Sequence, residues 1–570
     1  MDFFLFISYF SNFFTHNYRS FCIEISILCI LRVIFLPLKD IALYPLQIKH
    51  NNKVYPSPKI TLFRAYGDKR PPCHLSHSFN IYSKLFIAFY SYILYNVDNI
   101  NTKECLLMYK DKINAYFEEH RQEILDDIMT LCRIRSVREE AQENMPFGPG
   151  PKAALDAAIE MSEKMGFKVR NFDNYVATVD INDKESQLAI LAHLDVVHEG
   201  KGWTVCEPYA PVVKGDRIYG RGTADDKGPA VVSLWALKAI KDLGIELNKN
   251  ARIILGTAEE TGSQDLAYYC QKEAYPPMSF SPDSSFPVTN IEKGGFGPTL
   301  TANFEECKAL PRVLEIKGGT AGNIVCQECY FVIEGMAKEE VLKYLDIADV
   351  KFTVSEENGL VRVDVVGQSA HASTPHLGVN SITASLAVLS KMPMAESKGF
   401  GVIKGLSALI PHGDYLGAAL GVKQEDELSG PLTLNLGILE YTTTGLTGKI
   451  DSRTPICANE DNMSKIVNAK MNEIGIELNT TTMRKPHHTP AESEFIKVLN
   501  GAYEEYTGNE GYCVAIGGGT YVHNIEGGVA FGCSMPGTEN NMHGPDESAV
   551  IEELMVSGKM FADIIVRLCK

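Results

Sequence analysis

Five residues of types that bind divalent cations fall in separate loops beside apolar runs: His193, Asp225, Glu260, Asp283 and His543. Singly, each has an ordinary explanation, since an Asp in a Gly-rich loop is usually a turn former. Together they fit the rule that ligands gather at the carboxyl ends of the strands of an open α/β sheet. Two imidazoles and three carboxylates suit two hard-to-borderline dications. Three carboxylates against two dications leave one positive charge, which favours hydroxide over water at a bridging position. The inferred distribution gives each ion one His and one terminal carboxylate, with Asp225 spanning both. Two ions about 3.5–4 Å apart form a two-metal clamp for hydrolysis. Two Zn2+ per chain suit this His/carboxylate set, and Mn2+ or Co2+ fit the same ligand types.

Two acids beside these ligands have chemistry of their own. Asp195 follows His193 by two residues, so on an extended strand both side chains point the same way. Its carboxylate is then placed to hold the second imidazole nitrogen and fix the tautomer. Glu259 precedes Glu260 at the end of ARIILGTAEETGSQD (Ala251–Asp265). Adjacent residues in extended backbone project to opposite sides, so Glu260 can ligate while Glu259 faces the bridging water. Glu259 is the expected general base, taking the water's proton and delivering it to a leaving amine.

The elements that must position these residues alternate between strand and helix. From Met108 the pattern predicts a helix over Tyr109–Ile134 with Ile113, Phe117, Ile124, Ile128 and Leu131 inward, and a second over Lys152–Gly166. The strands FKVRNF, YVATVDI and LAILAHLDVV follow, then a glycine loop, YGRGTADDKGP (Tyr219–Pro229), that runs into a helix ending near Gly244. Such alternation favours an α/β layered domain. Beyond Ile291 strands and helices continue without clustered acids, up to the Pro-punctuated MRKPHHTPAES. The reading is an α/β catalytic metal domain in two parts, 108–290 and 486–570, with an α+β lid domain inserted over 291–485.

Composition bounds the remaining function classes. At 570 residues the chain exceeds one hydrophobic core, and 45% hydrophobic with 22% charged residues is an ordinary globular balance. A net charge of −17 argues against nucleic acid, which needs a basic footprint. The 14 cysteines are scattered, and the lone C-x-x-C, Cys326 and Cys329, reads as reduced thiols of a cytoplasmic protein. Residues 1–107 differ in texture, rich in Phe, Ile, Tyr, Asn, Ser and Lys. Phe21–Leu38 is the best membrane candidate, but Glu24 and Arg32 fall inside it, each costing about 2.5–3.5 kcal/mol at a bilayer centre. Leu85–Tyr95 is too short to span, and Met1-Asp2 lacks the basic start of a secretory signal. These residue types match AT-rich codons, so the segment reads as a non-native or disordered extension, with the true start near Met108 and no packed core before it.

LAHLDVV, YGRGTADDKGP, GTAEETGSQD, SPDSSFPV, GQSAHASTPHLGVNS, IGGGTY and PGTENNMHGPDE occur in the order found in M20 metallopeptidases. From Met108 onward the chain resembles, more closely, the PepV-type (Xaa-His) dipeptidases. The resemblance implies a dinuclear zinc catalytic domain, with His193 and Asp283 on one ion, Glu260 and His543 on the other, and Asp225 between. It implies Asp195 as orienting residue, Glu259 as base, and a cis peptide after Asp225. By similarity, His371 of the lid stabilises the oxyanion, Arg453 clamps a substrate carboxylate, Asn323 is a further lid contact, and the GGGTY loop at Gly518 lets backbone approach substrate. One departure is His523, where the related sequences carry Arg two residues after the Tyr. The expected function is hydrolysis of small peptides, dipeptides with a free N-terminus, by a monomer whose long lid limits substrate length. The alternatives are an N-acyl-amino-acid deacylase or carboxypeptidase of the same fold, or a non-catalytic metal-binding or membrane-tethered module.

Overall fold

The computed structural model describes residues 108–570, together with the two-residue strands Lys49–His50 and Lys53–Val54. The chain divides into two units, Met1–Ile100 and Asn101–Lys570. In the first, the two short strands pair antiparallel. The readings made for residues 1–107 otherwise lie outside the described residues.

In the second unit, helical backbone over 108–119 is followed by α1 (Arg121–Cys132) and α2 (Pro149–Lys164). The expected single helix is thus two stretches parted at His120, which leaves helical geometry. All five expected inward residues, Ile113, Phe117, Ile124, Ile128 and Leu131, are fully buried. Then come β1 (Lys168–Phe172), β2 (Val176–Asp180), β3 (Ser186–His193), α3 (Lys227–Asp242), β4 (Asn250–Gly256), β5 (Met278–Ser281) and β6 (Val288–Glu292).

The chain next builds a second sheet from β7 (Gly294–Phe296), β8 (Thr299–Asn303), β9 (Arg312–Gly318), β10 (Glu328–Glu334), β11 (Lys351–Glu357), β12 (Leu360–Val366), β13 (Thr433–Thr442), β14 (Gly445–Thr454) and β15 (Glu477–Leu478). Its order is β11-β12-β10-β9-β13-β14-β8-β15, with β7 on β14. Every pairing is antiparallel. One residue in two along β10 and β12 is buried, as expected of a sheet with one face packed and one wet. The helices α4 (Ser381–Lys391), α5 (Lys398–Leu409) and α6 (Ser464–Glu473) contribute to this separate core.

The return to the first sheet adds β16 (His487–His488), α7 (Glu494–Thr507), β17 (Cys513–Ile516), β18 (Val529–Phe531) and α8 (Ile551–Cys569). That sheet runs β16-β6-β18-β5-β3-β4-β2-β1, with β17 also on β6. Its centre, β18-β5-β3-β4, is parallel, so the carboxyl ends of these strands share one edge. Both faces are covered. Leu188, Ile190 and Ala192 of β3 point into the main core with α3 and α8, whereas Ala189 and Leu191 point into a smaller core with Tyr269, Tyr521 and Ile525. The run LAILAH is continuously apolar because the strand is buried on both sides.

The fold is therefore α/β with an inserted α+β domain. Among the described residues no helix is long and apolar enough to cross a membrane. The ten described cysteines are free, Cys326 and Cys329 included. The segment preceding α1 is part of the fold, because Phe117 belongs to the main core. Phe117→Ala is expected to cost about 3–5 kcal/mol, read from equilibrium denaturation of a protein beginning at Met108. An unchanged midpoint would remove this segment from the core.

Candidate metal and catalytic centre

Three neighbouring parallel strands deliver acids and a histidine to one edge. β3 ends on His193, β5 runs into Asp283, and β4 ends at Gly256, three residues before Glu259. Asp225 stands two residues ahead of α3 and is joined to Asp226 by a cis peptide. His543 lies in the loop before a short strand, Ser548–Val550, which pairs with Arg217–Tyr219 and so draws the His543 loop to the Asp225 loop.

Asp225 sits at the middle. Its Oδ1 is 3.0 Å from His193 Nε2 and its Oδ2 is 2.9 Å from His543 Nε2. Asp283 Oδ2 stands 3.6 Å from the same nitrogen of His193, and Glu260 Oε2 3.4 Å from that of His543. Potential ligand atoms gather in two overlapping groups, His193 with Glu259 and Asp283, and His193 with Asp225 and Glu260. Although close together, His193 Nε2, Asp225 Oδ1 and Glu260 Oε1 are buried without a hydrogen bond of proper geometry. Buried polar atoms ordinarily have partners. A cation at this point fits the donor set, because it satisfies nitrogen and carboxylate oxygen at once.

The electrostatics agree with a pocket short of positive charge. Burial, reinforced by the charges of Asp283 and Glu260, holds the Glu259 carboxyl well above the usual range. Burial and Asp225 push Glu260 up to about 7. Burial, then Asp225, also raises Asp283. Hydrogen bonding to Asp225 and Glu260 lifts His543 to about 11. Burial alone would lower His193, but its contacts with Asp195, Asp225 and Asp283 hold it well above an ordinary imidazole.

The expectation for Glu259 and Glu260 is corrected in one respect. They are not on an extended strand. They occupy a 3-10 turn, Glu259–Thr261, closed by Gly262 at φ 101°. Asp195 anchors this turn, its Oδ1 accepting from the N–H of Glu259 at 3.1 Å and its Oδ2 from that of Glu260 at 3.2 Å. Towards His193 Nδ1 the nearer acceptor is the Asp195 backbone carbonyl at 3.0 Å, with the carboxylate at 3.4 Å. Asp195 thus links the histidine to the glutamate turn.

Several acids that the sequence reading did not single out hold the frame. Asp226 Oδ2 accepts from the N–H of His193 at 3.0 Å. Asp265 Oδ2 accepts from the N–H groups of Thr257 and Ala258, at 2.5 and 2.8 Å, and from the Tyr521 hydroxyl. Gly256 makes room for that contact, since a Cβ there would stand 1.9 Å from the Tyr521 oxygen. Glu547, fully buried, accepts at Oε1 from the N–H groups of Gly222, Ala224 and Asp225, and at Oε2 from Arg221 Nη1 at 2.6 Å. His543 itself has φ 63°, a left-handed conformation costly for a residue with a Cβ. Its loop is pinned by Arg221 Nη2 donating to Gly544 O and by Asp546, which accepts from the N–H groups of Thr204 and Val205.

The inserted domain adds further groups. His371 Nδ1 accepts from the Ser373 N–H at 3.2 Å, which puts a proton on Nε2. Burial and the Arg453 charge lower its pKa, so the ring is a neutral donor at pH 7. Asn323 is exposed beside it, its carbonyl accepting from the Ala372 N–H. Arg453, on β14, is less free than a bare carboxylate clamp: Nε and Nη2 bind Asp451 at 2.7 and 3.1 Å, and Nη1 donates to Gly517 O at 2.6 Å. Two of its five N–H groups remain. Gly518 follows, with one side of its backbone open. His523 turns away, to Glu292 Oε2 and Lys485 O, both at 2.9 Å.

Because Glu547 and Arg221 are both buried, Glu547→Gln leaves a guanidinium without its counter-charge. Breaking such a pair is expected to cost about 3–5 kcal/mol in equilibrium unfolding. A loss under 1 kcal/mol, a value ordinary for exposed ion pairs, would show that Glu547 does not hold the Asp225 loop.

Comparison with known proteins bears on what this arrangement is. Residues 189–567 match the model of peptidase family M20/M25/M40. The chain is 33% identical over 461 residues to YtjP of Bacillus subtilis (strain 168), covering 79% of this chain and 98% of that one. It is 32% identical over 464 residues to the Beta-Ala-Xaa dipeptidase of Lactobacillus delbrueckii subsp. lactis, covering 80% and 97%. Human carnosine dipeptidase 1 shares the fold, with a TM-score of 0.53 at 14% identity over 80% of this chain and 98% of that one. The chain belongs to peptidase family M20/M25/M40 and is a hydrolase of the metallopeptidase type.

Proposed function

We propose that this protein is a dinuclear metallodipeptidase acting on dipeptides with a free N-terminus. The observation that carries the reading is the Asp225 carboxylate, whose two oxygens each face a different histidine, with Asp283 beside one and Glu260 beside the other. The similarity to a Beta-Ala-Xaa dipeptidase along nearly its whole length supports the substrate class. His193 and Asp283 would hold one ion and Glu260 and His543 the other, with Asp225 between. Zinc suits these ligands, and manganese or cobalt fits the same types. When bound, such a pair supplies Lewis acidity and lowers the pKa of water.

The chain's own residues account for the remaining work. Glu259 takes a proton from the attacking water and passes it to the amine that leaves. His371 Nε2–H donates to the oxygen that becomes negative as the carbonyl is attacked. The two free N–H groups of Arg453, with backbone at Gly518, receive the substrate carboxylate, and Asn323 adds a lid contact. Asp195 keeps His193 and the Glu259 turn in register. We read the inserted domain as a lid and the protein as a cytoplasmic monomer.

Dipeptides and N-acetyl amino acids assayed side by side test the substrate class, and faster turnover of the N-acetyl compounds would favour a deacylase instead. Glu259→Gln is expected to lower kcat by about 10^2–10^4 while two metal ions per chain stay bound, and wild-type turnover would remove Glu259 as the base. Chelation is expected to abolish hydrolysis until metal is restored. Protons compete with metal for its ligands, and Glu260 sheds its proton near pH 7 in the metal-free protein. Metal affinity, followed by competition with a chromophoric chelator, is therefore expected to rise from pH 6 to pH 8. A flat or falling profile would contradict Glu260 as a ligand.

A further inference from the structure

Two arginines border the Gly517–Gly519 loop. Arg453 reaches it from β14 and is largely occupied by Asp451 and Gly517 O. Arg484 reaches it from the point where the chain crosses back to the first sheet. There its backbone is fixed, the Arg484 N–H donating to Gly295 O at 2.8 Å and the Gly295 N–H to Arg484 O at 3.0 Å. Arg484 Nη1 lies 3.0 Å from the point where a Cβ on Gly519 would stand, so glycine there lets the guanidinium sit close over the loop without being displaced.

This guanidinium is nearly unused. Nη2 donates to Lys293 O at 3.2 Å, and the side chain makes no ion pair among the described residues. The acid beside it is committed elsewhere. Glu292, buried, accepts at Oε1 from the N–H and hydroxyl of Thr520, and at Oε2 from His523 Nδ1. His523 Nε2 meets Lys485 O and so ties Glu292 to the crossover. His523 therefore anchors the loop, and the guanidinium over it comes from Arg484. Arg453 at Gly517 O and Arg484 over Gly519 border the same three-residue loop, and burial, then the charge of Arg453, lower the Arg484 pKa. Glu259 acts on the same group from the catalytic side. Two guanidinium groups on one glycine loop, half-buried at Gly517 and Gly518 and exposed at Gly519, form a receptor for more than one carboxylate, since each planar fork matches one such group.

Resting on the dipeptidase reading, we infer that Arg484 is a specificity-determining residue that selects dipeptides whose C-terminal residue carries an acidic side chain. Arg453 takes the α-carboxylate and Arg484 the side-chain carboxylate, with Gly519 leaving space between them. The test uses two pairs of near-isosteric substrates, Ala-Glu with Ala-Gln and Ala-Asp with Ala-Asn, on the metal-loaded full chain. The kcat/KM ratio of acid to amide is expected to exceed one and to fall about tenfold in Arg484→Gln, mostly through KM. Arg484→Lys is expected to keep an intermediate ratio, which a merely structural role would not produce. Ratios within twofold of wild type in Arg484→Gln, with the amide substrates still cleaved, would overturn the assignment while leaving the dipeptidase reading intact. Failure of the wild type to cleave any of the four would overturn both.

Discussion

The constraint on which this structure depends is the burial of many carboxylates in one small volume. Like charges out of water repel strongly, and a buried acid persists only when something answers its charge. Here the answers divide the acids into two kinds. Asp195, Asp265 and Glu547 turn both or most of their lone pairs to backbone N–H groups and fixed side-chain donors. Asp225, Glu260 and Asp283 instead face histidine nitrogens and one another, leaving Asp225 Oδ1 and Glu260 Oε1 without donors. Acids of the first kind build the frame. Those of the second kind form a donor set that fits a cation.

The frame is closed by segments far apart in the chain. Glu547 grips the loop of Asp225 from more than three hundred residues away, and Tyr521 reaches Asp265 across the whole inserted domain. The parallel centre of the first sheet uses β18, which arrives only after the second sheet is complete. The site therefore assembles from both parts of a discontinuous domain. Its left-handed His543 is tolerable because Arg221, Asp546 and the Ser548–Tyr219 pairing determine the loop from three sides.

Much of this was legible in the residues. Continuous apolar runs marked β3 and β4 as strands, and the polar residues beyond them marked the ligand edge; that both faces are buried came from the structure. The inserted region was read from strands and helices without clustered acids, and the structure builds a second sheet with its own core there. What escaped was partnership rather than placement. Asp226, Asp265 and Glu547 have no periodic signature, because an acid that accepts backbone N–H groups answers to a loop's shape and not to a repeat. The 3-10 turn at Glu259 escaped for a related reason: Gly262 closes it, yet GTAEETG extends an apolar strand smoothly in sequence. Arg453 carried a readable signal, as Asp451 two residues earlier on the same strand face was placed to pair with it.

Three histidines near the centre show how surroundings, rather than residue type, decide a role. His193 and His543 touch carboxylates, and those contacts raise both imidazoles above their ordinary pKa. His371 meets no carboxylate directly. It accepts from a backbone N–H, and burial and Arg453 keep it neutral. The Arg453 guanidinium therefore favours the neutral form of the neighbouring imidazole. A substrate carboxylate bound at Arg453 would weaken that influence. The pairing of Arg453 with Asp451 moderates the field at His371, because the Asp451 charge acts on the imidazole in the opposite sense. In the proposed dipeptidase, binding at Arg453 and donation from His371 would be coupled through one charge.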